Sequence, residues 1–203
     1  MRILVISDIH ANLTALEAVL EDAGTVDAVW CLGDLVGYGP DPNEVIRRIA
    51  NLPFTLCVLG NHDAAALGQI DLENFNSEAK ETTLWNQENL SQESKLFLTS
   101  LRKKTIRNGF TLTHGSPRNS IWEYVLDVES AADNLDYFAT PFCLIGHTHI
   151  PVTYHTENGK ASLSAVSSDN PLSFKLSGRA ILNPGSVGQP RDTDPRACYA
   201  ILD

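Results

Sequence analysis

Residues 3–10 read Ile3-Leu4-Val5-Ile6-Ser7-Asp8-Ile9-His10, an apolar run that stops at a carboxylate and an imidazole. A short apolar run of this kind favours a buried strand. Apolar residues then recur at helical spacing, and Gly24 supplies a stop. These apolar positions are Leu13, Leu16, Val19, Leu20 and Ala23. The chain therefore opens as a strand followed by a helix, with Asn12 interpreted as the helix cap rather than as a substrate contact.

The same alternation continues through the next third of the chain. A second strand at 28–32 leads into a glycine-rich loop at 33–40. A helix follows, with Asp41 as its cap and Pro42 at its first position, and a third strand occupies 54–59. This β-α-β-α-β order predicts an α/β fold with a parallel sheet and right-handed crossovers.

The rest of the chain changes character twice. Residues 64–108 are polar and helix-favouring without a strand pattern, and we predict helices at 78–90 and 91–101. These helices could cover the edge of the sheet or pack on it, and the sequence leaves both open. From residue 152 onward, Gly, Ser and Asn separate short apolar runs, which predict an antiparallel meander. The runs are 152–155, 172–176, 180–182 and 198–202.

Composition limits the class of protein. At 203 residues, with no linker, repeat or low-complexity tract, the chain is interpreted as one domain spanning 1–203. Its four cysteines lie inside apolar runs without a C-x-x-C spacing, as expected of reduced, buried thiols. No stretch approaches the roughly 20 apolar residues of a membrane span, and Met1-Arg2 leads directly into a strand rather than a signal peptide. The expected location is the cytoplasm, without a membrane partner.

The net charge of −10 argues against a polymeric nucleic acid as the partner. Proteins that bind nucleic acid present basic patches, because contacts to phosphate supply much of their affinity. Here the compact basic cluster is Arg102-Lys103-Lys104 with Arg107 nearby, which is typical of a solvated helix end. Bound divalent cations could still attract a small anion locally.

Metal-type side chains follow five of the apolar runs. Five of the six histidines stand at these stops, three of which also carry an Asp or Asn. The stops are Asp8-Ile9-His10, Gly33-Asp34, Gly60-Asn61-His62-Asp63, Thr113-His114-Gly115 and Gly146-His147-Thr148-His149. Ligands of open α/β sheets bind at the carboxyl ends of the strands, so we expect these side chains to converge at one edge.

The donor set predicts the kind of ion. Mixed imidazole and oxygen donors suit Zn²⁺, Mn²⁺, Fe and Co, whereas Ca²⁺ and Mg²⁺ favour oxygen alone. Seven ligands are too many for one transition metal, and Asp34, alone at its strand end, is the natural bridge between two. The predicted ligands are Asp8, His10, Asp34, Asn61, His114, His147 and His149.

Two metals about 3.5–4 Å apart suit in-line displacement at phosphorus. His62 adjoins the ligand Asn61, and on an extended segment it would point to the opposite side, toward a substrate. We therefore assign His62 as general acid and expect the Asp63 carboxylate to fix its tautomer. Tyr38 could stack on a base or phenyl group or merely cover its loop. Arg191 could clamp a phosphate, or an Asp–Arg pair could tie down the tail.

The ordered motifs resemble the calcineurin-like metallophosphoesterase family. Its signature of D-x-H, G-D, G-N-H-D/E, a lone H and G-H-x-H spans residues 8–149, and Asn183-Pro184-Gly185-Ser186-Val187-Gly188 resembles its small stand-alone bacterial and archaeal branch. The resemblance implies a four-layer α/β/β/α sandwich of two mixed sheets with a dinuclear site. It also implies His62 as the catalytic histidine. One departure is Gly37, where many relatives carry a second acid.

By motif position, the resemblance divides the ligands between two metals that share Asp34. One metal would take Asp8, His10, Asp34 and His149, and the other Asp34, Asn61, His114 and His147. Mn²⁺ is the leading expectation, with Fe, Zn, Ni or Co as alternatives.

The expected activity is metal-dependent hydrolysis of a small soluble phosphodiester or phosphoanhydride, of the cyclic nucleotide or dinucleoside polyphosphate type. The alternatives are a phosphomonoesterase, including a protein serine/threonine phosphatase, and, disfavoured by the acidic charge, a nuclease. From a different class comes a scaffold that kept the fold without the chemistry. The substrate, the native metal and the oligomeric state are left open.

Overall fold

The structure, a computed structural model, describes residues 1–157, 160–165, 173 and 175–203. The strands are β1 (Ile3–Ile6), β2 (Ala28–Cys31), β3 (Leu56–Cys57), β4 (Lys104–Arg107), β5 (Phe110–Thr113), β6 (Phe142–Leu144), β7 (Val152–Glu157), β8 (Lys160–Ala165), β9 (Ala180–Asn183) and β10 (Ala200–Leu202). The helices are α1 (Leu13–Ala23), α2 (Pro42–Ala50), α3 (Asn61–Ala66), α4 (Ser77–Asn89), α5 (Gln92–Ser100) and α6 (Val128–Asn134), and a 3-10 turn covers Leu135–Tyr137.

The described strands form two mixed sheets. The first has the order β10-β1-β2-β3, in which β1, β2 and β3 are parallel and β10 is antiparallel to β1. The second has the order β4-β5-β6-β9-β7-β8, with β5, β6 and β9 parallel and the other pairs antiparallel. The predicted parallel β-α-β-α-β unit is confirmed.

Helices cover both outer faces of this pair of sheets. Apolar residues of α1 and α2, such as Leu16 and Ile49, pack with Leu4 and Ile6 on the outer face of the first sheet. Ala131 of α6 packs in a cluster with strand residues of the second sheet. Trp30, Leu112 and their neighbours fill the space between the sheets. The layers therefore run helix, sheet, sheet, helix, as the resemblance implied.

Of the two predicted helix caps, Asn12 makes a capping hydrogen bond and Asp41 does not. The Asn12 side chain accepts from the Ala15 N–H at 3.0 Å, and Ser91 accepts from the Ser94 N–H at 3.1 Å. Asp41 occupies the cap position of α2, but its side chain makes no capping hydrogen bond. Asn12 is thus the helix cap that the sequence predicted.

Several elements differ from the predictions. The meander expected after 152 is only partly formed, because β9 lies parallel to β6 and β10 crosses to the first sheet. The run expected at 172–176 includes residues outside the described ones. The segment 64–108, expected to lack strands, contains β4. Strand β8 and helix α6 had no counterpart in the predictions.

The helical segment packs on the first sheet's own helices. Helix α4 contacts α3, and α5 contacts α2. Among the described helices, none is both long and apolar enough to cross a membrane.

Candidate metal centre

The predicted ligands converge where β1, β2, β5 and β6 end. The backbone turns sharply there, and five ligands adopt a left-handed conformation: Asp8, His10, Asp34, His147 and His149 have φ between 49° and 66°. This conformation costs a side-chain-bearing residue about 1–2 kcal/mol. Strain of this kind is typical of functional sites, where the surrounding structure holds residues in place for a purpose other than stability.

One cluster joins Asp8, His10 and His149. Their potential ligand atoms lie within 4.8 Å of one another, and all three side chains are buried. His149 Nε2 lies 3.3 Å from Asp8 Oδ1, and His10 Nε2 lies 3.2 Å from His149 Nε2. Two imidazole nitrogens that face each other with their lone pairs repel, unless a cation lies between them.

A second cluster joins Asp34, His114 and His147, again within 4.8 Å and buried. His114 Nε2 lies 3.2 Å from His147 Nδ1 and 2.9 Å from Asn61 Oδ1. The first cluster therefore gathers donors from β1 and β6, and the second gathers donors from β2, β5, β6 and the start of α3.

Asp34 lies between the two clusters. Its Oδ2 is 3.7 Å from His10 Nε2 and 3.3 Å from His114 Nε2. Both this oxygen and Asp8 Oδ1 are buried without a hydrogen-bond partner among the described residues. An unpaired buried carboxylate oxygen is costly. The donor set therefore fits two divalent transition-metal ions that share Asp34.

Backbone carbonyls orient each imidazole. His10 Nδ1 lies 3.0 Å from the Val36 carbonyl oxygen, and His114 Nδ1 lies 2.8 Å from that of Leu32. A carbonyl only accepts, so the nitrogen facing it carries a hydrogen, and the other nitrogen is the one that can bind a metal.

The remaining two imidazoles are oriented in the same way. His149 Nδ1 faces the Gln189 carbonyl oxygen at 2.5 Å, and His147 Nε2 faces that of Trp122 at 3.2 Å. All four free nitrogens point into the clusters, as metal ligands require.

Charges at the site influence one another strongly. Burial would lower the pKa of His114, but the carboxylates of Asp34 and Asp8 raise it to about 9. Burial and the neighbouring His114 lower the pKa of His147 to about 3. Burial would raise the pKa of Asp34, but His114 and His62 hold it well below its usual range. Near pH 7, Asp34 is therefore anionic and His147 neutral, as a metal needs, whereas His114 carries a proton that it must release when an ion binds.

His62 lies beside the ligands, but for a different reason from the one predicted. Residues 61–66 form a helix rather than an extended segment, and the His62 N–H donates to Asp34 Oδ1 at 2.9 Å. Its ring packs edge-on against the His10 ring, with centroids 4.8 Å apart. The side chain is buried with 6% of its surface exposed, and burial lowers its pKa.

The prediction that the His62 ring donates a hydrogen bond to Asp63 is wrong. His62 Nδ1 has no partner among the described residues. The Asp63 carboxylate points instead at the backbone, where it accepts from four N–H groups at 2.9–3.2 Å. The donors belong to Asp34, Leu35, Val36 and Gly60. Burial and Asp34 raise the pKa of Asp63 to about 7, while these donors oppose the rise. Asp63 thus holds the two ligand loops together.

Glycines allow the loops to approach closely. A Cβ at Gly60 would overlap the Asp34 carboxylate, and one at Gly37 would lie 2.6 Å from His62 Nδ1. Gly37 also has a φ of +93°. The residue that departs from the family pattern therefore leaves the room that the His62 ring occupies.

The tail segment that begins at Asn183 supports the site through hydrogen bonds. Asn183 Nδ2 donates to the Gly146 carbonyl at 2.7 Å, and Ser186 Oγ donates to that of Asp8 at 2.8 Å. This segment therefore braces two of the ligand loops.

Aromatic residues surround the clusters. Tyr38 is half-buried, and its ring centroid lies 4.9 Å from those of both His10 and His62. Phe75 lies against His62 at 5.0 Å, and Tyr124 stacks on His147 at 3.9 Å. The sequence prediction missed Phe75 and Tyr124. The alternation Trp122-Glu123-Tyr124, shortly after a ligand, was the available signal for Tyr124.

Arg191 lies at the rim of the site. The Arg191 backbone N–H donates to the His149 carbonyl at 3.4 Å, and the Arg191 guanidinium donates to Gln189 Oε1 at 2.9 Å. Within the described residues it has no ion pair with a carboxylate. The Asp–Arg pair that ties the tail is instead Arg196 with Asp194, at 2.8 Å.

Comparison with known proteins identifies the family to which this chain is similar. The whole chain, residues 1–203, matches the calcineurin-like phosphoesterase superfamily domain. The chain is 38% identical to an uncharacterized protein of Methanocaldococcus jannaschii, over 99% of this chain and 82% of that one. It is 42% identical to the symmetrical bis(5'-nucleosyl)-tetraphosphatase of Photorhabdus laumondii, over 34% of this chain and 26% of that enzyme.

A solved structure shares the full architecture. The metallophosphoesterase of Sphaerobacter thermophilus superposes with a TM-score of 0.86 at 45% identity, covering 99% of this chain and 82% of that one. With a match over its whole length and an Asp/His site at the expected strand ends, the chain belongs to the calcineurin-like phosphoesterase superfamily.

Proposed function

We propose that the protein hydrolyses a small phosphodiester or phosphoanhydride with the help of two divalent metal ions. One ion would be held by Asp8, His10, Asp34 and His149, and the other by Asp34, Asn61, His114 and His147. The observation that carries this proposal is the buried Oδ2 of Asp34, which has no hydrogen-bond partner in the described part of the chain and lies within 4 Å of an imidazole nitrogen from each cluster.

When bound, two such ions supply Lewis-acid activation of a phosphoryl group and of water. Mn²⁺ is the proposed ion, and Fe, Zn, Ni and Co fit the same donors, so that metal availability decides among them. The carbonyls behind the histidines fix which ring nitrogen faces the site, so that the rings are oriented before any ion arrives.

His62 is the proposed general acid. It adjoins both clusters without a carbonyl or carboxylate on its Nδ1, and it shares a three-residue ligand-type group with His10 and Asp34. A proton on its ring can pass to the oxygen of the leaving group as the bond to phosphorus breaks. Its backbone N–H, held by Asp34 Oδ1, fixes the ring relative to the shared carboxylate.

Two observations support the proposed substrate class: the net charge of the protein and the names of its relatives. A net charge of −10 repels polymeric nucleic acid, whereas a small anion needs only the local field of the metals. Relatives that match part of the chain are named symmetrical bis(5'-nucleosyl)-tetraphosphatases, which favours a phosphoanhydride. The described cysteines are free thiols, which fits a reducing cytoplasm.

The test is hydrolysis of bis-p-nitrophenyl phosphate and p-nitrophenyl phosphate by chelator-stripped protein before and after Mn²⁺ is added. We expect cleavage of the diester only with Mn²⁺, and little cleavage of the monoester. Preference for the monoester would instead support a phosphatase. Two bound Mn²⁺ ions with no turnover of these esters or of a dinucleoside polyphosphate would contradict the enzymatic proposal and favour a scaffold.

A further inference from the structure

The Tyr124 ring forms a platform beside the second cluster. One face stacks on the His147 ring, with centroids 3.9 Å apart and planes inclined by 20°. Nevertheless 43% of the residue is exposed, and among the described residues no other ring contacts it. The exposed part of the ring could therefore receive a planar ring, for which stacking on an aromatic side chain is favourable.

Arg191 places a positive charge next to this platform. Both residues lie on the His147–His149 side of the site, because Tyr124 stacks on His147 and the Arg191 backbone N–H donates to the His149 carbonyl at 3.4 Å. The charge of Arg191 opposes the larger effect of burial, which raises the pKa of the Tyr124 hydroxyl. Gln189 holds the guanidinium through its Oε1, while the Gln189 carbonyl orients His149. Gln189 thus contacts both the candidate ligand His149 and the exposed guanidinium of Arg191.

The guanidinium has unused donor capacity. No carboxylate in the described part of the chain pairs with it, and a guanidinium offers five N–H donors, of which Gln189 takes one. An arginine fork of this kind matches the oxygens of a phosphate. A phosphate held there would lie outside the ligand clusters, on the His147 and His149 side.

We propose that Tyr124 and Arg191 form a subsite for the non-reacting end of the substrate, in which Arg191 binds a second phosphate and Tyr124 stacks an aromatic ring. The substrate class is then a nucleoside di- or polyphosphate rather than an ester with a single phosphate. This inference rests on the proposed function, since it presumes that the reacting phosphate occupies the metal centre.

Binding of three probes to the Mn²⁺-loaded protein separates the two contacts. The probes are adenosine α,β-methylene diphosphate, which has a ring and two phosphorus groups, AMP, which lacks the second phosphorus, and methylenediphosphonate, which lacks the ring. Arg191→Ala should raise Kd about tenfold or more for the two diphosphorus probes and leave AMP unchanged. Tyr124→Leu should raise Kd about tenfold for the two adenosine probes and leave methylenediphosphonate unchanged.

Three controls keep the result interpretable. Tyr124→Phe retains the ring and should bind the adenosine probes like the wild type. Arg196→Ala removes another exposed arginine of the tail and should change none of the three affinities. Metal analysis of each variant should find the wild-type Mn²⁺ content.

The inference is overturned if either variant weakens all three probes equally, or none of them. Turnover of bis-p-nitrophenyl phosphate by the same preparations tests the proposed function separately. Loss of that turnover in the wild type would therefore not be confused with failure of the subsite.

Discussion

Asp34 contributes its two carboxylate oxygens in different ways. Oδ1 accepts the His62 N–H at 2.9 Å, while Oδ2 faces imidazoles from both clusters. A single buried oxygen shared by two donor groups would make the two proposed ion sites interdependent. An amide in its place removes the negative charge that both ions need.

We expect Asp34→Asn to abolish binding of both ions together. Metal analysis after reconstitution with Mn²⁺ should find less than one equivalent, compared with two for the wild type. Asp41→Asn, at the start of α2, is the matched control and should retain both. Loss of only one equivalent in Asp34→Asn would refute the shared role.

His62 lies beside the candidate metal ligands, and we expect the ions to bind without it. We expect His62→Ala to keep both Mn²⁺ equivalents but to lose kcat by about 10²-fold or more on an unactivated substrate, because proton donation is lost. The loss should shrink with a p-nitrophenolate leaving group, which departs without a proton. Unchanged kcat on the unactivated substrate would rule out the general acid, and His155→Ala serves as the control.

Among the elements, the loop between β2 and α2 depends on Gly37. We expect Gly37→Ala to reduce kcat by at least tenfold while metal content is kept, because its Cβ would lie 2.6 Å from His62 Nδ1. Gly109→Ala is the matched control, since Gly109 has a similar φ of +81° but nothing within 4 Å of its Cβ position. Both variants should lose about 1–2 kcal/mol of stability from the positive φ. Equal kcat in the two variants would contradict contact with His62 as the cause.

The start of α3 is tied to the β2 loop through Asp63. We expect Asp63→Asn to lower the free energy of unfolding of the metal-free protein by about 2 kcal/mol or more, because an amide offers one acceptor oxygen to four buried N–H groups. Urea denaturation in the presence of a chelator measures this loss. Asp71→Asn, at an exposed position, should change it little. Equal unfolding free energies for the two variants would show that the network contributes no net stability.

Elements with a long apolar pattern could be predicted from the sequence. The strands at 3–6 and 28–31 and the helices at 13–23 and 42–50 follow from apolar spacing, from the stop at Gly24 and from the start signal at Asp41. Helix α3 could not be predicted, because six residues show no period and its first residues carry polar side chains. Strand β4 was missed because Lys104 and Arg107 hide its alternation.

Some features of the candidate site could likewise be predicted from the sequence, and others could not. The positions of the seven candidate ligands follow from where strands end, which is a local property of the chain. The partners of Asp63 and the stacking of Tyr124 on His147 depend on how separate loops meet. No local pattern encodes such meetings. For that reason the prediction that His62 lies on an extended segment was wrong, although the residue lies beside the clusters.

At the scale of the whole molecule, the metal centre joins the two sheets. Asp8, His10 and Asp34 follow strands of the first sheet, whereas His114 and His147 follow strands of the second. Ions bound between them would stabilise the folded chain by mass action, at about 2.7 kcal/mol for each site when the free ion exceeds Kd a hundredfold.

We therefore expect Mn²⁺ to raise the Tm of chelator-stripped protein by roughly 10 °C or more, since each kcal/mol shifts a domain of this size by about 2–4 °C. Differential scanning calorimetry measures the shift, and Ca²⁺ at the same concentration should produce a smaller one because the donors include imidazoles. The Asp34→Asn variant should respond little. A wild-type Tm that is indifferent to Mn²⁺ would contradict metal cross-linking of the sheets.

The most direct test of the account is a Mn²⁺ titration of chelator-stripped protein, with bound ion and hydrolysis of bis-p-nitrophenyl phosphate measured on the same samples. We predict that activity is absent without Mn²⁺ and reaches its maximum as the second equivalent of Mn²⁺ binds. Full activity in the chelated protein, or a maximum at one equivalent, would contradict a centre built on two ions that share Asp34.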